Sequence, residues 1–335
     1  MRFTSRLGAF VLPFFMLCLC GCAARTAHTR EVFAMDTVMQ LTAYGAQGEA
    51  ALDAAAQELA RLDALLSAQS PESVISRLNA GETETVGDET AELIAAACTA
   101  AAETDGAYDP TLLPLMRAWG FAGGAYRVPA DDELAALLGQ TGWEQVAVTG
   151  DRVSLPAGFA LDLGGIGKGY AASRLRSIFH EYGVQSGLLS LGGNVAVIGQ
   201  KPDGASWTVA IADPMDTKSW FCTVTAADEA VVTSGGYQRF FTQDGVDYWH
   251  ILDPQTGKPA RSGLCSVSII CADDTLADAL STALFVMGEE QAERFWRAHA
   301  DEFDAVWMTD PRKIVVTQGL EGRFFCEEAY EVLRR

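Results

Sequence analysis

The chain has 335 residues, 49% of them hydrophobic, with 24 basic side chains against 44 acidic ones and a formal net charge of −20. Such an acidic surface repels nucleic-acid phosphates and anionic lipid head groups, which excludes nucleic acid as a partner. A phosphorylated ligand would need a cation or a focused basic residue to neutralise it locally.

Arg2 and Arg6 precede an apolar run from Leu7 to Leu19, followed by Cys20-Gly21-Cys22. A basic start, a short apolar stretch and small residues at the exit read as a secretory signal. The run falls short of the roughly 20 apolar residues that span a bilayer. Cysteine directly after Leu-x-Gly is the bacterial lipoprotein pattern. The expectation is a signal peptide over 1–21, a lipidated Cys22 with a tether over 22–33, and one domain over 34–335. Ordinary cleavage near Ala24, with Cys22 lost, is the alternative. Losing Arg2 and Arg6 would take the formal charge from −20 to −22.

Apolar residues at helical spacing predict helices over Glu49–Leu66, Asp88–Ala102 and Asp131–Leu138. The stretch Ala160–Ala172 reads as a strand, a glycine-rich turn and the opening of a helix. Strands are predicted over Leu188–Ile198, Trp207–Ala212, Phe221–Thr225, Val246–Leu252 and Leu264–Cys271. A helix over Leu276–Met287 follows, then strands at Ala305–Thr309 and Ile314–Thr317. No Pro/Ser-rich linker divides the chain. Helices segregated from antiparallel-looking strands define an α+β class, a single domain of helices packed on a mostly antiparallel sheet. Two Leu-Gly-Gly triplets, at 163–165 and 191–193, suggest related turns without an internal repeat. Cys98, Cys222, Cys265, Cys271 and Cys326 lack metal-ligand spacing and suit core packing; a disulfide is open, but no pairing follows from spacing.

Glycines 164, 165, 167 and 169 clear space for a phosphate near a helix N-terminus. The stretch has neither the Ser or Thr of a P-loop nor G-x-G-x-x-G spacing, so a plain strand-to-helix connection fits equally well. Lys168 lies there to charge-pair a phosphate or touch a neighbouring carbonyl. Asp162, at an apolar strand end, either contacts ligand or orders the turn, because a buried carboxylate needs a partner. Asp278 and Thr282, four apart on a predicted helix, share one face and offer hard oxygens of the kind magnesium or calcium takes. Helix capping or a solvated face explains such a pair as well. His28 falls in the tether, and His180 and His299 in helical patterns. His250 ends a Tyr-Trp-His run on the predicted strand that enters the Asp253-Pro254 turn, placed either for proton transfer or as a half-buried sheet residue.

Six segments occur in order: Thr104–Thr111, Ala160–Ala172, Ser190–Asn194, Thr233–Arg239, His250–Pro259 and Ala277–Ala283. Together they resemble the ApbE family, the FAD:protein FMN transferases, from about Met35 to about Phe325. The resemblance implies a magnesium or calcium ion held by the side chains of Asp278 and Thr282 and by backbone oxygens of Gly165 and Ser281. It implies FAD contacts at Met35, Ala107, Tyr108, Asp109, Asp162, Lys168 and Ile251. Asp109 also suits turn formation before its proline. His250 becomes the base that takes a proton from an acceptor hydroxyl. One departure is Ala68-Gln69-Ser70, where relatives often carry an aromatic residue, so adenine stacking must differ here. The implied reaction transfers FMN from FAD to a Thr or Ser of a separate flavoprotein of extracytoplasmic electron transfer, at the outer face of a bacterial membrane. A metal-dependent FAD pyrophosphatase and a non-catalytic flavin-binding lipoprotein are the rival readings.

Overall fold

The computed structural model describes residues 26–335. The chain opens with a hairpin, β1 (Ala27–Ala34) and β2 (Thr37–Tyr44), and continues through helices α1 (Gly48–Leu66), α2 (Val74–Asn79), α3 (Asp88–Glu103), α4 (Leu113–Trp119) and α5 (Asp131–Leu138). The short strands β3 (Ala147–Thr149) and β4 (Arg152–Ser154) precede helix α6 (Gly167–Glu181). Then come β5 (Ser186–Leu191), β6 (Asn194–Gly199), β7 (Trp207–Asp213), β8 (Asp216–Ala226), β9 (Ala230–Gly235), β10 (Phe240–Gln243), β11 (Val246–Trp249) and β12 (Leu264–Cys271). Helices α7 (Asp274–Met287) and α8 (Glu289–His299) lead to β13 (Asp304–Thr309), β14 (Lys313–Thr317), β15 (Phe324–Cys326) and β16 (Tyr330–Leu333).

Nine strands form one sheet in the order β1-β2-β5-β6-β9-β12-β13-β14-β16. Every pair is antiparallel except β14 with β16. The period-2 alternation of strand side chains divides the central strands between two cores. Ala196, Val232, Val267, Ile269, Ala305 and Trp307 face the helices. Their neighbours Val197, Val231, Ile270, Val306 and Met308 face a three-stranded sheet, ordered β15-β8-β7. The molecule is thus layered as helices, large sheet and small sheet, in agreement with the α+β expectation. A third apolar cluster joins Leu115, Trp119, Phe121 and Leu134 to Leu252, beside the β10–β11 hairpin.

Several sequence expectations change. Ala27–Ala34 is strand β1, so part of the segment assigned to a tether is a strand. The single strand expected over Leu188–Ile198 is a hairpin, because Gly192 (φ +63°) and Gly193 (φ +101°) supply the positive φ values that a two-residue β-turn demands. The first Leu-Gly-Gly triplet begins a helix instead, so the two triplets are unrelated turns. The strand expected before it is absent apart from an isolated bridge at Ala160. There Asn79 replaces a neighbouring strand: its Nδ2 donates to the Leu161 carbonyl at 2.9 Å, and its Oδ1 accepts from the Leu161 N–H at 2.7 Å. His250 lies just beyond β11 rather than on it. Cys22 and the signal segment lie outside the described residues.

Candidate active site

Helices α6 and α7 cross so closely that only glycine fits at the contact. A Cβ on Gly169 would overlap the Asp274 carbonyl oxygen and come within 2.7 Å of Asp278 Cβ. The Gly169 N–H, orphaned in the first turn of α6, donates to Asp278 Oδ2 at 2.8 Å. Behind this contact Arg176 grips the buried Asp274 with bonds of 2.9 and 2.8 Å, locking the two helices together. Asp273 caps α7 by accepting from Thr275 and Leu276 N–H. Asp278 is thereby buried with its second oxygen, Oδ1, 4.0 Å from Lys168 Nζ.

The glycine turn covers the same spot. Gly165 stands where an added Cβ would be 3.7 Å from Thr282 Oγ1 and 3.0 Å from the Tyr108 ring. Lys168 Nζ reaches the Gly164 carbonyl at 3.4 Å, which is the carbonyl contact anticipated as one of its two roles. Asp162 Oδ1 accepts from the Gly164 N–H at 2.9 Å and so orders the turn. Burial pushes its carboxyl above the ordinary range, against the pull of that bond and of Arg239, Lys168 and Arg117. Asp109 spends one oxygen on Thr111, accepting from its N–H at 2.8 Å and its hydroxyl at 2.6 Å, so turn formation holds. Ala107, half-buried, precedes Tyr108 in the same loop. Tyr108 is buried and its hydroxyl has no hydrogen-bond partner. Burial, reinforced by Asp278, Asp162 and Asp109, holds that phenol well above its ordinary pKa.

Serines complete the cluster. Ser234, at the end of β9, lies 2.8 Å from Ser281 Oγ and 3.4 Å from Thr282 Oγ1. Ser281 Oγ also donates to the Asp278 carbonyl at 2.8 Å, so its hydrogen is committed within α7. One carboxylate, one hydroxyl and peptide carbonyls form an all-oxygen donor set that suits magnesium or calcium, with water or ligand phosphates filling the remaining positions. Among the described residues no three His, Cys, Asp or Glu side chains gather as a metal cluster.

His250 immediately follows the β10–β11 hairpin. Its Nδ1 lies 3.2 Å from the Arg239 carbonyl, which can only accept, so in neutral imidazole Nδ1 carries the proton and Nε2 keeps its lone pair. Burial lowers the histidine pKa to about 4; the Arg239 carbonyl opposes this, while the charges of Arg239 and Lys168 add to it. Lys168 and Arg239 thus act on both Asp162 and His250, which links the hairpin electrostatically to the glycine turn. The Arg239 guanidinium donates to the Phe121 carbonyl, and the Phe121 ring meets the imidazole edge-on at 6.3 Å. Ile251 is buried in the core, its carbonyl accepting from Ala260 N–H at 2.9 Å.

Met35 occupies the two-residue turn between β1 and β2, with φ +49° and Asp36 at +58°. Non-glycine residues adopt this region reluctantly, and Asp63 secures the turn by accepting from Met35 N–H at 3.1 Å. Gln69, standing where an aromatic residue was expected, reaches Asp36 Oδ2 at 3.5 Å. Ser234 and Arg239 were missed as site residues, although both lie in the Thr233–Arg239 segment. Tyr170, whose hydroxyl donates to Glu89 at 2.8 Å, was also missed and braces α6 against α3.

A buried carboxylate beneath a glycine turn and a neutral histidine on the adjoining segment define a candidate enzyme site on a layered α+β scaffold. The ApbE family model matches residues 35–307. The chain is 32% identical to the FAD:protein FMN transferase of Treponema pallidum, over 98% of each sequence. Its fold is similar to the ApbE protein of Thermotoga maritima, with a TM-score of 0.84, 34% identity, and coverage of 89% of this chain and 99% of that one. Apo flavinyl transferase ApbE of Pseudomonas stutzeri gives a TM-score of 0.78 at 30% identity, covering 89% and 96%. The chain belongs to the ApbE family.

Proposed function

We propose that this transferase moves FMN from FAD onto a Thr or Ser hydroxyl of a separate protein, releasing AMP. The observation that carries the reading is the neutral His250, its Nδ1 held by the Arg239 carbonyl and its Nε2 free to accept a proton. Nε2 takes the proton of the acceptor hydroxyl, whose oxygen attacks the FMN-side phosphorus of FAD. The pyrophosphate bond to AMP breaks, and FMN remains on the acceptor through a phosphoester. Asp278 and Thr282 side chains with Gly165 and Ser281 carbonyls would hold magnesium or calcium, whose chemistry is to neutralise the diphosphate charge. Lys168 supplies a further positive charge beside Asp278. Tyr108 and Met35 border the flavin nucleotide, and the orphaned Tyr108 hydroxyl finds its partner there.

The protein acts as a lipoprotein anchored through Cys22 at the extracytoplasmic face of the bacterial membrane. Its acceptor is a flavoprotein of extracytoplasmic electron transfer. The test mixes the purified protein with FAD, magnesium and membranes from cells lacking it, and reads flavin fluorescence on denaturing gels. A fluorescent band that requires the wild type and is lost with His250→Ala supports transfer. AMP with free FMN and no labelled band would overturn transfer in favour of pyrophosphatase activity.

A further inference from the structure

Cys222 on β8 and Cys326 on β15 are direct cross-strand partners in the small sheet. Both side chains face the second apolar core, Cys222 fully buried and Cys326 half-buried. The phase of the ladder is set by Thr225, whose N–H donates to the carbonyl of its opposite residue Arg323 at 2.8 Å. Hydrogen-bonded and non-hydrogen-bonded pairs alternate along an antiparallel ladder. Counting from that bonded pair, Val224/Phe324 is non-bonded, Thr223/Phe325 bonded and Cys222/Cys326 non-bonded. Non-bonded partners have Cα atoms about 4.5 Å apart with side chains drawn together, inside the window a disulfide accepts. Among the described residues the other cysteines have no such partner: Cys98 is on α3, Cys271 opposes Ala230, and Cys265 sits at a register shift of β12.

We propose that Cys222 and Cys326 are a dithiol that closes into a cross-strand disulfide, a covalent staple between β8 and β15. The oxidant is a disulfide-bearing molecule, such as oxidised glutathione or an oxidised dithiol protein. Cys326, the more exposed thiol, attacks one sulfur of that disulfide as thiolate, forming a mixed disulfide and expelling one thiol. Cys222 then displaces the second thiol, so the protein loses two hydrogens and the oxidant gains them. The closed loop contains His250 and Asp278, yet the staple lies on the sheet face away from the helices that carry the site. Cys326 lies beyond residues 35–307 matched by the family model.

The test is independent of flavin chemistry. The full chain, refolded from urea in a glutathione redox buffer, is alkylated without reduction and digested with trypsin. The expected product joins Ser219–Arg239 to Phe324–Arg334, each carrying one cysteine, and separates on reduction. The thermal midpoint of the oxidised protein should exceed that of the reduced protein by roughly 5 °C or more, and Cys326→Ser should abolish the difference. Recovery of both peptides singly, alkylated or carrying glutathione, would overturn the proposal, as would a cross-link through any other cysteine.

Discussion

The Gly169 amide and the Asp278 carboxylate, 109 residues apart, are joined by a 2.8 Å hydrogen bond at the crossing of α6 and α7. This bond fixes which way the buried carboxylate points, and the crossing allows no Cβ between the helices. Gly169→Ala is therefore expected to force the helices apart, lowering stability by about 2–4 kcal/mol and displacing Asp278. Urea unfolding and FAD-dependent AMP release should fall together. Wild-type stability in this variant would show that the crossing is looser than described.

Asp278→Asn separates charge from shape. An asparagine oxygen still accepts from Gly169, so the fold should lose about 1 kcal/mol or less. Removing the only carboxylate of the donor set should lower FMN transfer at saturating FAD by about 100-fold or more. Excess chelator should reduce the wild type to a similar level, while adding no further loss to the variant.

For His250 the pH dependence has a definite sign. The folded pKa is about 4 against an ordinary value of 6.5, so between these values the unfolded chain binds more protons than the folded one. Stability is lost as pH falls through that window, by up to about 3 kcal/mol once pH reaches 4. His250→Gln lacks this contribution, so its urea midpoint should fall less between pH 7 and pH 4.5 than that of the wild type. Parallel curves for the two proteins would place the imidazole in solvent.

Tyr108→Phe deletes a buried hydroxyl that has no partner in the free protein. The variant should match or exceed wild-type thermal stability, by up to about 1 kcal/mol, because an unsatisfied group is removed. FAD affinity, measured by flavin fluorescence quenching, should weaken by about 10-fold if the hydroxyl pairs with the nucleotide. A stability loss with unchanged FAD binding would assign Tyr108 to packing alone.

Asp278 and Thr282 could be placed from sequence because helical spacing fixes their shared face and the α7 pattern is strongly apolar. Asp162 and Lys168 were legible as residues needing partners, but their partners arise from turn geometry that spacing does not encode. The N-terminal hairpin stayed hidden for a different reason. β1 is an edge strand whose half-buried Arg30 and exposed Phe33 obscure alternation, and the buried side chains belong chiefly to its partner: Met39, Leu41 and Ala43 on β2. The non-glycine turn at Met35-Asp36 gave no hairpin signal, since such turns favour Asn-Gly. Asn79 could not be foreseen as a surrogate strand for Leu161, because that contact spans 82 residues and depends on one side chain.

Strand β1 also acts as a measuring rod. It runs eight residues from Ala27 to the turn at Met35, about 26 Å of extended backbone. A lipid anchor on Cys22, as proposed, would add only a short leash, so Met35 would stand no farther than roughly 45 Å from Cys22. The anchor would then select acceptors by altitude as well as by sequence: a hydroxyl carried close above the bilayer is within range, and the same motif held on a tall domain is not. Lengthening the leash between Cys22 and Ala27 should widen the set of proteins that receive flavin.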